Sequence, residues 1–98
     1  MDRDFEFDPA KSAANRDKHG IDFVEAQALW TVPALDQPLP YEGEPREMRT
    51  GQIRDGLWSA VYTLRGATIR IISVRRARKD EVDDYGRNVA KPGNDDQP

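Results

Sequence analysis

The chain has no cysteine, one histidine and no long apolar run. Without cysteine there is no disulfide framework and no thiolate metal site, which fits a reducing compartment. One histidine, with acids that show no repeated ligand spacing, makes no recognisable metal centre, so neither a metal nor another cofactor is expected. No apolar stretch approaches the roughly 18 residues of a membrane span. The opening MDRDFEFDP is acidic and lacks the apolar core of a secretory signal. The expectation is a soluble cytoplasmic protein with no membrane partner. At 98 residues the chain has room for one small domain. That domain is expected over residues 1–88, with residues 89–98 as a flexible tail, because KPGNDDQP holds no apolar residue besides proline.

Apolar residues are few, at 37%, but they fall in patterned blocks, which separates the chain from disordered sequences. The net charge of −3 gives no reason to expect a nucleic-acid partner, but its distribution does. Residues 1–45 carry a balance of −6, residues 46–79 a balance of +7, and residues 80–98 a balance of −4. The basic block holds eight arginines and one lysine. Arginine presents a planar fork of donors that suits phosphate and carboxylate, so this bias favours recognition over mere solubility. The competing reading is a solvated sheet surface whose arginines pair with the acidic N-terminal half.

The chain divides into recognisable elements. Phe5-Glu6-Phe7 alternates as a short strand would. Asp8-Pro9 starts a helix, with Asp8 as its cap and Pro9 in the first turn, and Gly20 stops it. Asp22 caps a second helix with Phe23, Ala26, Leu29 and Trp30 on one face, ending before Pro33. A proline-rich connection follows, with a short edge strand at Ala34–Leu39. Three strands come next: Arg46–Ile53, Leu57–Leu64 and Thr68–Arg75. Asp55-Gly56 is the hairpin signal between the first two, and Arg65-Gly66 marks the next turn. Lys79–Tyr85 reads as a short helix. The order implies an α+β fold: a small antiparallel sheet (a meander), two N-terminal helices on one face, and a short C-terminal helix. The other face is expected to be open.

Few residues stand out for chemistry. His19, one residue before the stop glycine, is the side chain best suited to proton transfer near neutral pH. It also fits the simpler role of a histidine at a helix C-terminus. Asp80, Glu81, Asp83 and Asp84 read as the exposed face of the last helix rather than as a catalytic pair. In the strand Thr68–Arg75 both faces are mostly apolar, as in a central strand. Arg70 must therefore find a partner, either an acid such as Glu6 or Glu44 or an external phosphate. Arg70 and Arg75 have opposite parity, so both can serve one site only if the strand has a bulge near Ser73 or ends early. Trp30, Trp58, Phe23, Tyr62 and Phe7 read as core. Tyr85 is placed either to stack or donate, or to anchor the last helix.

Three stretches carry a family resemblance: FEFDPAKSAANRDKHGIDFVEA at residues 5–26, EPREMRTG at 44–51, and VYTLRGATIRIISVRRARKDEVDDY at 61–85. With KHGI and the RIIS-R-A block together, the chain resembles the BrnT-type toxins of bacterial type II toxin–antitoxin pairs. Lys11, Asn15, Lys18, His19, Gly20, Glu44, Arg46, Gly51, Arg70, Ser73, Arg75 and Tyr85 fall on positions that match. The pattern is broken at Glu47, Met48, Arg49 and Thr50, where the family is typically apolar, and at Trp30, where a smaller aromatic is usual. This leaves open which way Arg49 faces.

The resemblance implies a RelE-like fold and an endoribonuclease. It also implies a BrnA-like antitoxin partner whose DNA-binding part resembles ribbon-helix-helix proteins, so that operator DNA is contacted only through the antitoxin. Metal-independent RNA cleavage needs a proton taken from the 2′-hydroxyl, charge stabilised on the phosphoryl oxygens, and a proton given to the leaving 5′-oxygen. The residues expected to do this are Arg46, Arg70 and Arg75 on the phosphate and His19 or Tyr85 moving protons. Lys11, Lys18, Arg49 and Arg76 are expected to hold or steer RNA. The rival expectations are a non-enzymatic binding module for an antitoxin or nucleic acid, and a plain interaction protein whose arginines form internal ion pairs.

Overall fold

A computed structural model of the chain describes residues 4–89. The chain enters through β1 (Asp4–Glu6), turns into α1 (Pro9–His19), and makes a short 3-10 helix (Glu25–Trp30). The strands β2 (Ala34–Leu39), β3 (Arg46–Ile53), β4 (Gly56–Arg65) and β5 (Thr68–Arg76) follow, and then α2 (Lys79–Asn88). The five strands form one sheet in the order β1-β5-β4-β3-β2. The expected flexible tail lies outside the described residues, apart from Val89.

The helix boundaries follow the local chemistry. Asp8 Oδ1 accepts the Ala10 N–H at 2.9 Å, Pro9 takes the first turn, and Gly20 closes α1 in the left-handed region at φ 81°. Asp22 also caps: its carboxylate accepts the Glu25 N–H at 2.7 Å, and Glu25 returns the contact to the Asp22 N–H at 3.0 Å. The turn it starts is a 3-10 helix and not the expected α-helix. Its buried residues, Ala26 and Leu29, are three apart, which matches the 3-10 repeat. Gly51 makes room for it, since a Cβ there would stand 3.1 Å from Leu29 Cδ2.

The sheet departs from the expected meander in two ways. β1 pairs parallel to β5, with Phe5 opposite Ile69 and Glu6 opposite Arg70, so the sheet is mixed. The hairpin between β3 and β4 turns at Arg54-Asp55, one residue before the expected pair, with Ile53 opposite Gly56. Arg54 holds the left-handed φ of 55° while its guanidinium donates to the Gly20 carbonyl at 3.1 Å and lies over Trp58.

Side-chain alternation gives the sheet two faces. Trp58, Ala60, Tyr62, Ile69, Ile71 and Val74 point to one face, where they pack with Ile21, Phe23, Ala26 and Leu29 as the core. Thr50, Ser59, Thr63, Arg70 and Arg75 belong to the other face. That face is not fully open: α2 packs over β2 and β3 and buries Glu81 and Tyr85. Glu81 is therefore not on the exposed side of the helix, contrary to expectation.

Candidate functional site

β5 contains an irregularity that decides where its arginines point. Val61 pairs with Ser73 and Tyr62 with Ile71, leaving Ile72 as an extra residue. The bulge inverts the alternation partway along the strand, so Arg70 and Arg75 emerge on the same face despite their opposite parity. Of the two devices the sequence allowed, a bulge near Ser73 or an early strand end, the strand has the bulge. Five residues still separate them by roughly 15 Å at the usual strand rise.

Around Arg70 the structure forms a polar cleft of about 200 Å³. Lys11 reaches it from α1, Arg46 from β3, Arg65 from β4 and Arg70 from β5, with Asp8 and Glu44 beside them and Ile71 and Ile72 behind. α1 is placed there because β1 ends early and leaves the outer edge of β5 free. Asn15 fills that edge: its Oδ1 accepts the Val74 N–H at 3.2 Å and its amide donates to the Ile21 carbonyl at 2.8 Å.

The four cations of the cleft are not equivalent. Arg70 donates to Glu6 at 3.0 Å, as the alternative reading of its sequence position foresaw. Arg65 lies 3.1 Å from Glu44 and 3.5 Å from Glu6, and the Glu44 carboxylate holds the Arg65 guanidinium above its ordinary basicity. Among the described residues Arg46 has no carboxylate partner. Its Nη2 donates to Tyr41 Oη at 3.0 Å, its guanidinium lies 3.7 Å from the centre of the Tyr41 ring, and its Nε is buried without a partner. A buried, unpaired donor on a charged group is costly unless something accepts from it. Among the described residues Lys11 likewise has no ion pair, so Arg46 and Lys11 are the cations of the cleft without an internal counter-charge.

Arg75 stands apart from this cleft. Both of its Nη atoms lie 2.8 Å from the Glu81 carboxylate in a bidentate pair. Glu81 also accepts from Ser59 Oγ and from the Arg78 N–H, each at 2.9 Å. Burial opposes ionisation of Glu81, but these donors outweigh it and take its pKa down to about 2. The Glu81 hydrogen bond raises the Arg75 guanidinium in turn, against the effect of burial. Tyr85, one turn beyond Glu81, is buried on the same side of α2.

The remaining candidates are dispersed. His19 and the exposed Lys18 lie at the far end of α1, about 12 Å along the helix axis from Lys11. Arg76 is over Trp58, at 4.5 Å from the ring centre, and pairs with Asp55 at 2.8 Å. Arg49 faces the core side, which resolves its direction. It is 2.6 Å from Asp36, donates to the Leu29 carbonyl at 2.8 Å and stacks on Trp30. Beside it, Tyr62 Oη lies within hydrogen-bond distance of both Asp36 and Glu47. Burial, then those two carboxylates, push the Tyr62 phenol far above its ordinary range.

The structure therefore brings together Lys11, Arg46 and Arg70, and not His19, Arg49, Arg75, Arg76 or Tyr85. Arg65, Tyr41 and the structural role of Glu81 were missed in the sequence. For Arg65 a signal existed: a hairpin turning at Gly66 puts Arg65 and Arg70 on one face of neighbouring strands.

No curated protein matches the chain. The family model described as "Ribonuclease toxin, BrnT, of type II toxin-antitoxin system" matches residues 7–81, which includes every strand but β1. Three of the four cations that form the cleft fall on the positions that carried the resemblance, and the match spans well over half of the chain: it belongs to the BrnT family of ribonuclease toxins of type II toxin–antitoxin systems.

Proposed function

We propose that this chain is an endoribonuclease that cleaves RNA without a metal ion, with the backbone phosphate bound in the cleft of Lys11, Arg46, Arg65 and Arg70. One observation carries this reading: a guanidinium that, among the described residues, has a buried, unpaired Nε–H and no carboxylate of its own, beside three further cations drawn from separate elements. In the reaction the 2′-oxygen forms its bond to phosphorus as the bond to the 5′-oxygen breaks, and negative charge grows on the phosphoryl oxygens. Arg46 and Arg70 stabilise that charge, and Lys11 positions the strand. Such preorganised donors are each worth about 3–4 kcal/mol in the transition state.

Glu6 and Glu44 hold Arg70 and Arg65 in place until phosphate arrives. Proton transfer requires a group within hydrogen-bond reach of the 2′-hydroxyl. His19 meets that requirement only for a strand that follows α1 to its end, and Tyr85 only for one that crosses the sheet toward α2. Arg75 supports the far end of this face through Glu81, and Lys18 steers RNA along α1. Arg49 and Arg76, on the core side of the sheet, act on architecture.

A type II system supplies a protein antitoxin as partner. We infer a BrnA-like antitoxin with a ribbon-helix-helix DNA-binding part, which presents an acidic or amphipathic segment to the same arginines and carries all contact with operator DNA. No helix among the described residues is long and apolar enough to cross a membrane. We place the activity in the cytoplasm, with RNA and antitoxin. A second reading, a binding module without catalysis, is favoured by the distance of the one histidine from the cleft.

Cleavage of labelled RNA by the purified chain in excess EDTA, beside Arg46→Ala and Arg70→Ala, decides between them. The enzyme reading expects cutting by the wild type and a loss of about 10²–10³-fold in each variant. Binding of RNA without cutting, with or without added metal, supports the module. A strict metal requirement overturns the mechanism.

A further inference from the structure

Among the described residues Tyr41 is the one large aromatic side chain that is half exposed, at 52%. It lies between β2 and β3, on a connection held by Pro40 and Pro45, five residues before Arg46. One face of its ring is covered by the Arg46 guanidinium at 3.7 Å, and its hydroxyl accepts from Nη2 at 3.0 Å. The exposure therefore falls on the opposite face and the edge. An exposed aromatic face fixed beside an anion site has the form of a nucleotide subsite, with phosphate on the cation and base on the ring.

Resting on the ribonuclease reading, we propose that Tyr41 is a base-stacking platform for a nucleotide next to the phosphate bound by Arg46. The base, the Tyr41 ring and the Arg46 guanidinium form a three-layer stack. The cation beneath the ring draws density from its outer face and favours an electron-rich base above it. Stacking reads area rather than hydrogen-bond pattern, so the subsite accepts any base and favours purines over pyrimidines. It also adds affinity without touching the reacting atoms, and Tyr41 is thus a binding and specificity residue, not a catalytic one.

The test uses a short 2′-O-methyl oligoribonucleotide, which cannot be cleaved through its 2′-oxygen, carrying 2-aminopurine at single positions. At one position, binding to the full chain is expected to quench the 2-aminopurine signal. Tyr41→Ala is expected to remove that quench and weaken binding about tenfold, whereas Tyr41→Phe keeps both within about twofold. The same oligonucleotide with an abasic residue at that position is expected to bind wild type and Tyr41→Ala alike. Equal loss in Tyr41→Phe and Tyr41→Ala overturns the proposal, because the hydroxyl would then matter for placing Arg46 and the ring would not. So does a tenfold loss that persists with the abasic probe. If Arg70→Ala abolishes binding while Tyr41→Ala is neutral, the platform fails and the cleft stands. If the wild type binds no oligonucleotide, both fail together.

Discussion

Glu81 accepts four hydrogen bonds on one carboxylate: two from Arg75, one from Ser59 and one from the backbone of Arg78. It serves α2 as half of a capping box; the reciprocal half is missing because the Arg78 guanidinium has no acceptor. Its acidity is a stability statement. The folded-state pKa of about 2 lies below the ordinary 4.5, so the contribution is present above the unfolded pKa. It is lost as pH falls from about 4.5 toward 2, and amounts to roughly 3 kcal/mol at neutral pH. Glu81→Gln should lower stability at pH 7 by about 2–3 kcal/mol and flatten this part of the acid transition, read by urea unfolding at pH 7 and pH 3. An unchanged acid slope in Glu81→Gln would assign the acid lability to other carboxylates.

At the scale of elements, the join between α1 and β5 holds the cleft's lysine in place, and it depends on one amide. Asn15 is buried and satisfies both a strand N–H and a loop carbonyl. Asn15→Ala leaves both backbone groups unpaired and should cost about 2–4 kcal/mol. Asn15→Asp keeps the acceptor for Val74 but sets a carboxylate oxygen against the Ile21 carbonyl, and should cost at least as much. Urea midpoints of the two variants check this, with Lys11→Met as a comparison that leaves the midpoint near the wild-type value. Local signals revealed the strands and caps: Asp8-Pro9 and Gly20 bound α1, the edge strand Ala34–Leu39 is present, and the β-branched run expected over Thr68–Arg75 is a strand that runs one residue further, to Arg76. What was not legible depends on distant pairing. Three residues at Asp4–Glu6 cannot specify a parallel partner some sixty residues away. The burial of Glu81 depends on Ser59 and Arg75, which only the folded sheet puts beneath α2. Of the site, a bulge near Ser73 was one of two ways for Arg70 and Arg75 to share a face, and the Glu6–Arg70 pair was one option for Arg70. Tyr41 was hidden because a loop gives no periodicity to read, whereas Arg65 was legible from the turn at Gly66, which puts it on the face of Arg70.

For the whole molecule, a net charge of −3 should repel RNA at long range, so the proposed binding rests on the local field at the cleft. The acids are not spread evenly there: Arg65 and Arg70 are partly neutralised by Glu6 and Glu44, whereas Arg46 and Lys11 have no ion pair among the described residues. Each phosphate neutralised on a single strand contributes about −0.7 to the slope of log K against log salt. With two to four cations engaged, the slope for a short uncleavable RNA should fall between about −1.5 and −3. Arg46→Ala should reduce its magnitude by about 0.7. Arg76→Gln, which loses an exposed pair with Asp55 on the other side of the sheet, should leave the slope unchanged. Fluorescence anisotropy from low to moderate salt measures all three. A flat wild-type slope would mean that the carboxylates already satisfy the arginines, and the surface would then be an internally paired sheet. A slope lost equally in both variants would spread the RNA over both faces and remove the cleft as its seat. An antitoxin segment that binds the same cations competes under the same salt law, so its inhibition should weaken with salt in parallel with RNA binding.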